Sequence, residues 1–105
     1  MHIIARPKLH QFAQQYPDAK TWIENWWIIV DRRRWESLHD VRRDFARVDQ
    51  VGQCLVFDAR GNNYRLIVRV KYADEYQRGT LFIRDFLTHA DYDEDRWKKD
   101  CAPQG

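Results

Sequence analysis

The stretch Asn63-Tyr64-Arg65-Leu66-Ile67-Val68-Arg69-Val70-Lys71-Tyr72 decides the architecture, because apolar and basic side chains alternate along it. Successive residues of a strand point to opposite faces, so Tyr64, Leu66, Val68, Val70 and Tyr72 share one side. Arg65, Ile67, Arg69 and Lys71 share the other. One face belongs to a core and the other is basic. Upstream, Gln53 to Asp58 reads as a second strand and Arg60-Gly61-Asn62 as the turn between the two, which makes a hairpin. Downstream, a loop at 73–79 leads to a third strand, Thr80 to Leu87, with Phe82, Arg84 and Phe86 on one side. Thr88 to Asp95 is polar and begins a turn or short helix, and 97–105 reads as a tail.

The first half of the chain changes period. Leu9, Phe12, Ala13 and Tyr16 recur at helical spacing until Pro17, which predicts a helix over 5–16 with Pro7 in its first turn. Asp18 is placed to cap a second helix, whose stripe of Trp22, Ile23, Trp26, Trp27 and Val30 faces a core or a protein partner. Ser37 with Asp40 resembles a capping box and opens a short helix through Val41 and Phe45. The expected fold is α+β, with N-terminal helices packed on a small twisted antiparallel sheet. It forms one domain over 1–97, followed by a tail at 98–105.

Composition bounds the rest. The chain has 105 residues, 44% of them apolar and five each of Trp, Tyr and Phe, enough for a packed core despite 32% charged residues. A net charge of +2 favours an anionic partner only weakly. Its distribution says more: from Arg60 to Arg84 the bases Arg60, Arg65, Arg69, Lys71, Arg78 and Arg84 face only Asp74 and Glu75 as acids. The opening Met1-His2-Ile3-Ile4 has no signal-peptide pattern and no apolar run is long enough to span a bilayer, so a cytoplasmic protein is expected. Cys54 in a strand and Cys101 in a polar tail lack CxxC spacing and read as reduced and incidental.

The residues that could carry chemistry are Arg65, Arg69 and Lys71 of the hairpin with Arg84, His89 and Tyr92 of the last strand and its exit. Histidine gives and takes protons near neutral pH, and arginines aim fixed positive donors at a phosphate whose charge grows in the transition state. RNA brings its own nucleophile, the 2′-hydroxyl, so neither Ser nor Cys is required. Ser37 is the only serine and lies in the helical half, which speaks against a Ser-His-Asp hydrolase; a Gly-rich phosphate loop is absent. The same bases would equally suit the solvated face of a half-buried sheet, His89 a surface cap and Tyr92 a packed ring. His89, Asp91 and Asp93 have ligand-type side chains, but no further cluster completes a metal site and nearby arginines repel a cation. No metal or cofactor is expected, and the two aspartates orient His89 or cap a helix. His2, His10 and His39 are left structural.

Three stretches, GNNYRLIVRV at Gly61 to Val70, FIRDFLTHADYD at Phe82 to Asp93 and the opening MHII, resemble the HigB family of type II toxins in the RelE/ParE superfamily. The resemblance implies a RelE-like fold and an endoribonuclease, or mRNA interferase, that cuts translated mRNA in the ribosomal A site. It also implies a neutralising helix-turn-helix antitoxin of the HigA type as partner. Carried over, Arg65 and Arg84 would hold the scissile phosphate, while His89 and Tyr92 would serve proton transfer and base stacking. Arg69, Lys71, Asn62 and Arg60 would contact RNA. The rival readings on the same fold are a ParE-like gyrase poison and a non-catalytic RNA-binding module.

Overall fold

A computed structural model of the chain describes residues 1–101. Its elements run β1 (His2–Ile4), α1 (Arg6–Gln15), a 3₁₀ turn at Pro17–Ala19, α2 (Lys20–Asp31) and α3 (Leu38–Asp44). The strands β2 (Asp49–Val51), β3 (Cys54–Ala59), β4 (Tyr64–Lys71) and β5 (Thr80–Thr88) follow, then α4 (His89–Asp93) and a 3₁₀ turn at Arg96–Cys101. The architecture is α+β, consistent with a RelE-like fold. The hairpin and third strand read from the alternating pattern are the centre of a five-stranded sheet, ordered β1-β5-β4-β3-β2. The two edge strands, three residues each, were too short to show a period. β1 runs parallel to β5, so the sheet is mixed and not wholly antiparallel.

The core-facing residues of β4 are those the alternation gives. Leu66 and Val68 are fully buried with Leu55 and Phe57 of β3, under Trp26 and Val30 of α2 and Trp35. On β5 the expected face is overturned at one point. Ile67 pairs with Asp85 and Val68 with Ile83, which leaves Arg84 as the extra residue of a β-bulge. The bulge resets the alternation, so Phe86 joins Leu81 and Ile83 in the core instead of sharing a side with Phe82 and Arg84. There Phe86 meets Phe12, Tyr16, Trp22 and Tyr64, with ring centroids 5.1 to 6.4 Å apart.

Two capping bonds expected from the sequence are not made. Asp18 makes no cap bond; its carboxylate accepts the Tyr64 hydroxyl at 2.9 Å and Arg60 Nη1 at 3.0 Å, pinning the β3–β4 turn to the helical layer. Ser37 is the N-cap of α3 without a side-chain bond, while Asp40 Oδ2 accepts the Glu36 amide at 3.0 Å. Of the tryptophans, Trp26 is buried, and Trp22 and Trp27 are partly covered, with the Arg6 guanidinium 4.2 Å over the Trp27 ring.

The far face of the sheet carries a second, smaller core of Cys54, Val56, Ile67, Trp97 and Cys101. The reading of both cysteines as reduced and incidental is corrected here: Cys54 and Cys101 form a disulfide, their Cα atoms 5.2 Å apart across 47 positions of sequence. Residues 97–101, read as tail, fold back onto β3, and the Gln53 amide just before that strand donates to the Cys101 carbonyl at 2.8 Å. Sequence spacing carries no trace of such a return. The remainder of that stretch, 102–105, lies outside the described residues. No helix among those described is long and apolar enough to cross a membrane.

Candidate active site on the far face of the sheet

α4 begins where β5 ends. Thr88, paired with Tyr64 across the sheet, stays extended and its Oγ1 accepts the Asp91 amide at 3.3 Å, so the chain turns into helix at His89. His89 is half exposed, and its Nδ1 lies 3.1 Å from Asp93 Oδ2 one helical turn on. Asp93 thus orients the imidazole, and Nε2 has no partner among the described residues. Asp91 occupies the first turn of the helix.

Tyr92 lies three positions from His89, on the neighbouring row of the same short helix. Its ring stacks on Trp97 at 4.9 Å and 13°, while the Arg65 guanidinium sits 5.2 Å from the same centroid. Two planar groups at those separations cannot share one face of a phenol, so Trp97 and Arg65 take opposite faces and neither is open to a nucleobase. The Tyr92 hydroxyl titrates above the ordinary tyrosine range because burial disfavours the phenolate; Asp49 and Asp95 add to this against the opposing pull of Arg65 and Lys98. Near neutral pH it is a proton donor.

Arg65 is buried, and most of its bonding capacity is committed. Nη1 donates to the carbonyls of Asn62 and Tyr64, Nη2 to Asn62 Oδ1, and Nε pairs with Asp58 at 3.1 Å. Asp58 faces Arg65 directly in the β3–β4 register. With its charge matched, Arg65 is built first to position the Tyr92 ring. Asn62 serves Arg65, and Arg60 is tied to Asp18 towards the helical layer, so these two are not presented together with the other bases.

Arg69, Lys71 and Arg84 are different. With Gln53, Val70 and Phe82 they line an open depression of about 540 Å³. The Arg84 Nε is buried there without a hydrogen-bond partner, a donor left over at the bulge. Arg69 is four residues along β4 from Arg65, roughly 13 Å at the rise of a strand. The candidate residues therefore form two groups, His89 and Tyr92 with Arg65 at one end and three bases at the other. Ile67, beneath Trp97 and Cys101, lies between them. Among the described residues no three His, Cys, Asp or Glu side chains gather as metal ligands.

Sequence reasoning missed Asp58, Trp97 and the cysteine pair. Asp58 was within reach, since the hairpin turn places it opposite Arg65; the other two needed the fold-back after α4.

A family model described as HigB toxin, RelE-like toxic component of a toxin-antitoxin system, matches residues 19–95. The match takes in α2 through α4, with every candidate residue named above, and stops short of Trp97 and Cys101. No curated protein matches the chain.

Proposed function

Since the chain belongs to the HigB toxin family, the RelE-like toxic component of toxin-antitoxin systems, which implies an antitoxin partner, we propose that it is an mRNA interferase cutting translated messages on the ribosome. The observation that carries this reading is an oriented, half-exposed histidine and a protonated tyrosine on one short helix, on the same sheet as a depression lined by three bases. RNA supplies the 2′-hydroxyl. His89 Nε2 accepts its proton as the oxygen attacks the neighbouring phosphorus, and the Tyr92 hydroxyl protonates the departing 5′-oxygen. The O2′–P bond forms as the P–O5′ bond breaks, leaving a cyclic phosphate and a free 5′-hydroxyl. Because the nucleophile is built in and His89 and Tyr92 manage its protons, the reaction is proposed to run without a metal.

Arg69, Lys71 and Arg84 hold phosphates flanking the cut, and Arg65 keeps Tyr92 in place. The site of action is the cytoplasm, where a helix-turn-helix antitoxin restrains the toxin. The test is induction of the protein in growing cells with mapping of transcript ends. Discrete cuts within translated frames are expected, and their loss by about 10²- to 10⁴-fold in His89→Gln. Intact transcripts during growth arrest would overturn the reading, and inhibited gyrase in their place would select the ParE-like rival.

A further inference from the structure

The 3₁₀ turn Arg96–Cys101 lies across the shortest path between the two groups of candidate residues. Trp97 covers one face of Tyr92, donates its indole Nε1 to the Tyr92 carbonyl at 2.9 Å, and packs with Cys101 on Ile67 and Val56. An RNA strand engaged at both His89 and the depression of Arg69, Lys71 and Arg84 must cross this ground. Yet the turn is thinly fastened to the sheet. Its ion pairs, Lys98 to Asp95 and Arg96 to Glu94, stay within the same stretch of chain. Among the described residues the one backbone hydrogen bond from the turn to the sheet is that of Gln53 to Cys101. Apart from the packing of Trp97 and Cys101 on Val56 and Ile67, the remaining tether is the Cys54–Cys101 disulfide.

We propose that this disulfide is a redox latch: it holds the turn closed over the RNA-facing side of the sheet, and its reduction frees the turn and uncovers Tyr92 for a nucleobase. The inference rests on the RNA-cleaving reading of the site. A cellular dithiol is the reductant. It delivers two electrons and two protons, the S–S bond breaks to give the Cys54 and Cys101 thiols, and the dithiol becomes a disulfide. Both sulfurs are buried, so attack follows fraying of the turn. A reducing cytosol keeps the toxin open, and oxidation closes it. The open form presents one tyrosine face and an apolar floor of Val56 and Ile67 to the bases of a single strand.

The latch is tested with a fluorescein-labelled single-stranded RNA oligonucleotide carrying 2′-O-methyl sugars, so that binding is read without cleavage. Anisotropy titrations compare the oxidised protein, the protein reduced with dithiothreitol, and Cys101→Ser; hydrogen exchange of residues 96–101 is followed in each. Reduced protein and Cys101→Ser should bind about tenfold more tightly, the worth of one base stacked on an aromatic ring, with faster exchange in the turn. Trp97→Ala should give the oxidised protein the same gain. Equal affinities in oxidised and reduced protein, or a turn that exchanges at one rate in both, would overturn the latch. A turn released by reduction while neither form binds RNA would overturn the RNA reading instead, and the gating of RNA with it.

Discussion

His89 is half exposed and owes its orientation to Asp93. That division of labour predicts unequal losses on substitution. Asp93→Asn should keep RNA binding and lower the cleavage rate about 10- to 100-fold, less than the loss of His89 itself, because the imidazole survives but is no longer held in one tautomer. Single-turnover cleavage beside RNA titration separates the two effects; a loss confined to binding would remove Asp93 from this role. Tyr64 makes a second prediction. Its hydroxyl titrates above the usual tyrosine range chiefly because it donates to Asp18. A folded value raised above the unfolded one, near 10, means that the contribution is complete below about pH 10 and is lost as pH rises through the folded value. Urea midpoints of wild type and Tyr64→Phe should therefore differ at pH 8 and draw together as pH rises through the folded value, whereas a constant gap would place the contribution in ring packing.

At the scale of elements, the bulge on β5 decides which aromatic carries the core. Phe86→Ala should cost about 3–5 kcal/mol, as for a large buried ring, and Phe82→Ala markedly less because Phe82 is only partly covered. Chemical denaturation of both variants checks the order, and the reverse order would mean that the alternation runs unbroken through Arg84. The same bulge marks where the sequence stopped being readable. The alternation from Tyr64 to Tyr72 identified β4 and its two faces, and helical spacing gave α1, α2 and α3, because burial on one side imposes a period. A bulge breaks the period without a signature in residue type, so Phe86 was placed on the wrong side. Likewise His89 and Tyr92 were visible as candidates, and Asp93, with Asp91, as an aspartate that would orient His89 or cap a helix. The disulfide was not, since it depends on where a turn lands after α4 has reversed the chain.

For the whole molecule, charge is the lever. Arg69, Lys71 and Arg84 converge from two strands on one depression, whereas Arg60 and Arg65 are matched by Asp18 and Asp58. Only the first three are expected to displace counterions from RNA. In the reduced protein, each change of Arg69, Lys71 or Arg84 to Gln should lower the salt slope of RNA binding by about 0.7, the value for one phosphate on a single strand, and Arg60→Gln should leave it in place. A slope that responds equally to Arg60 would scatter the contacts over the surface. The sheet order has a consequence of another kind. β1 is made first yet pairs with β5, so its partner is missing until almost eighty further residues have been synthesised. Because α4 follows β5 without a linker, the strand that completes the sheet and the helix that bears His89 and Tyr92 emerge together. A nascent chain consequently has neither a complete sheet nor its candidate site until β5 and α4 have both been made, a delay set by the order in which its strands become available.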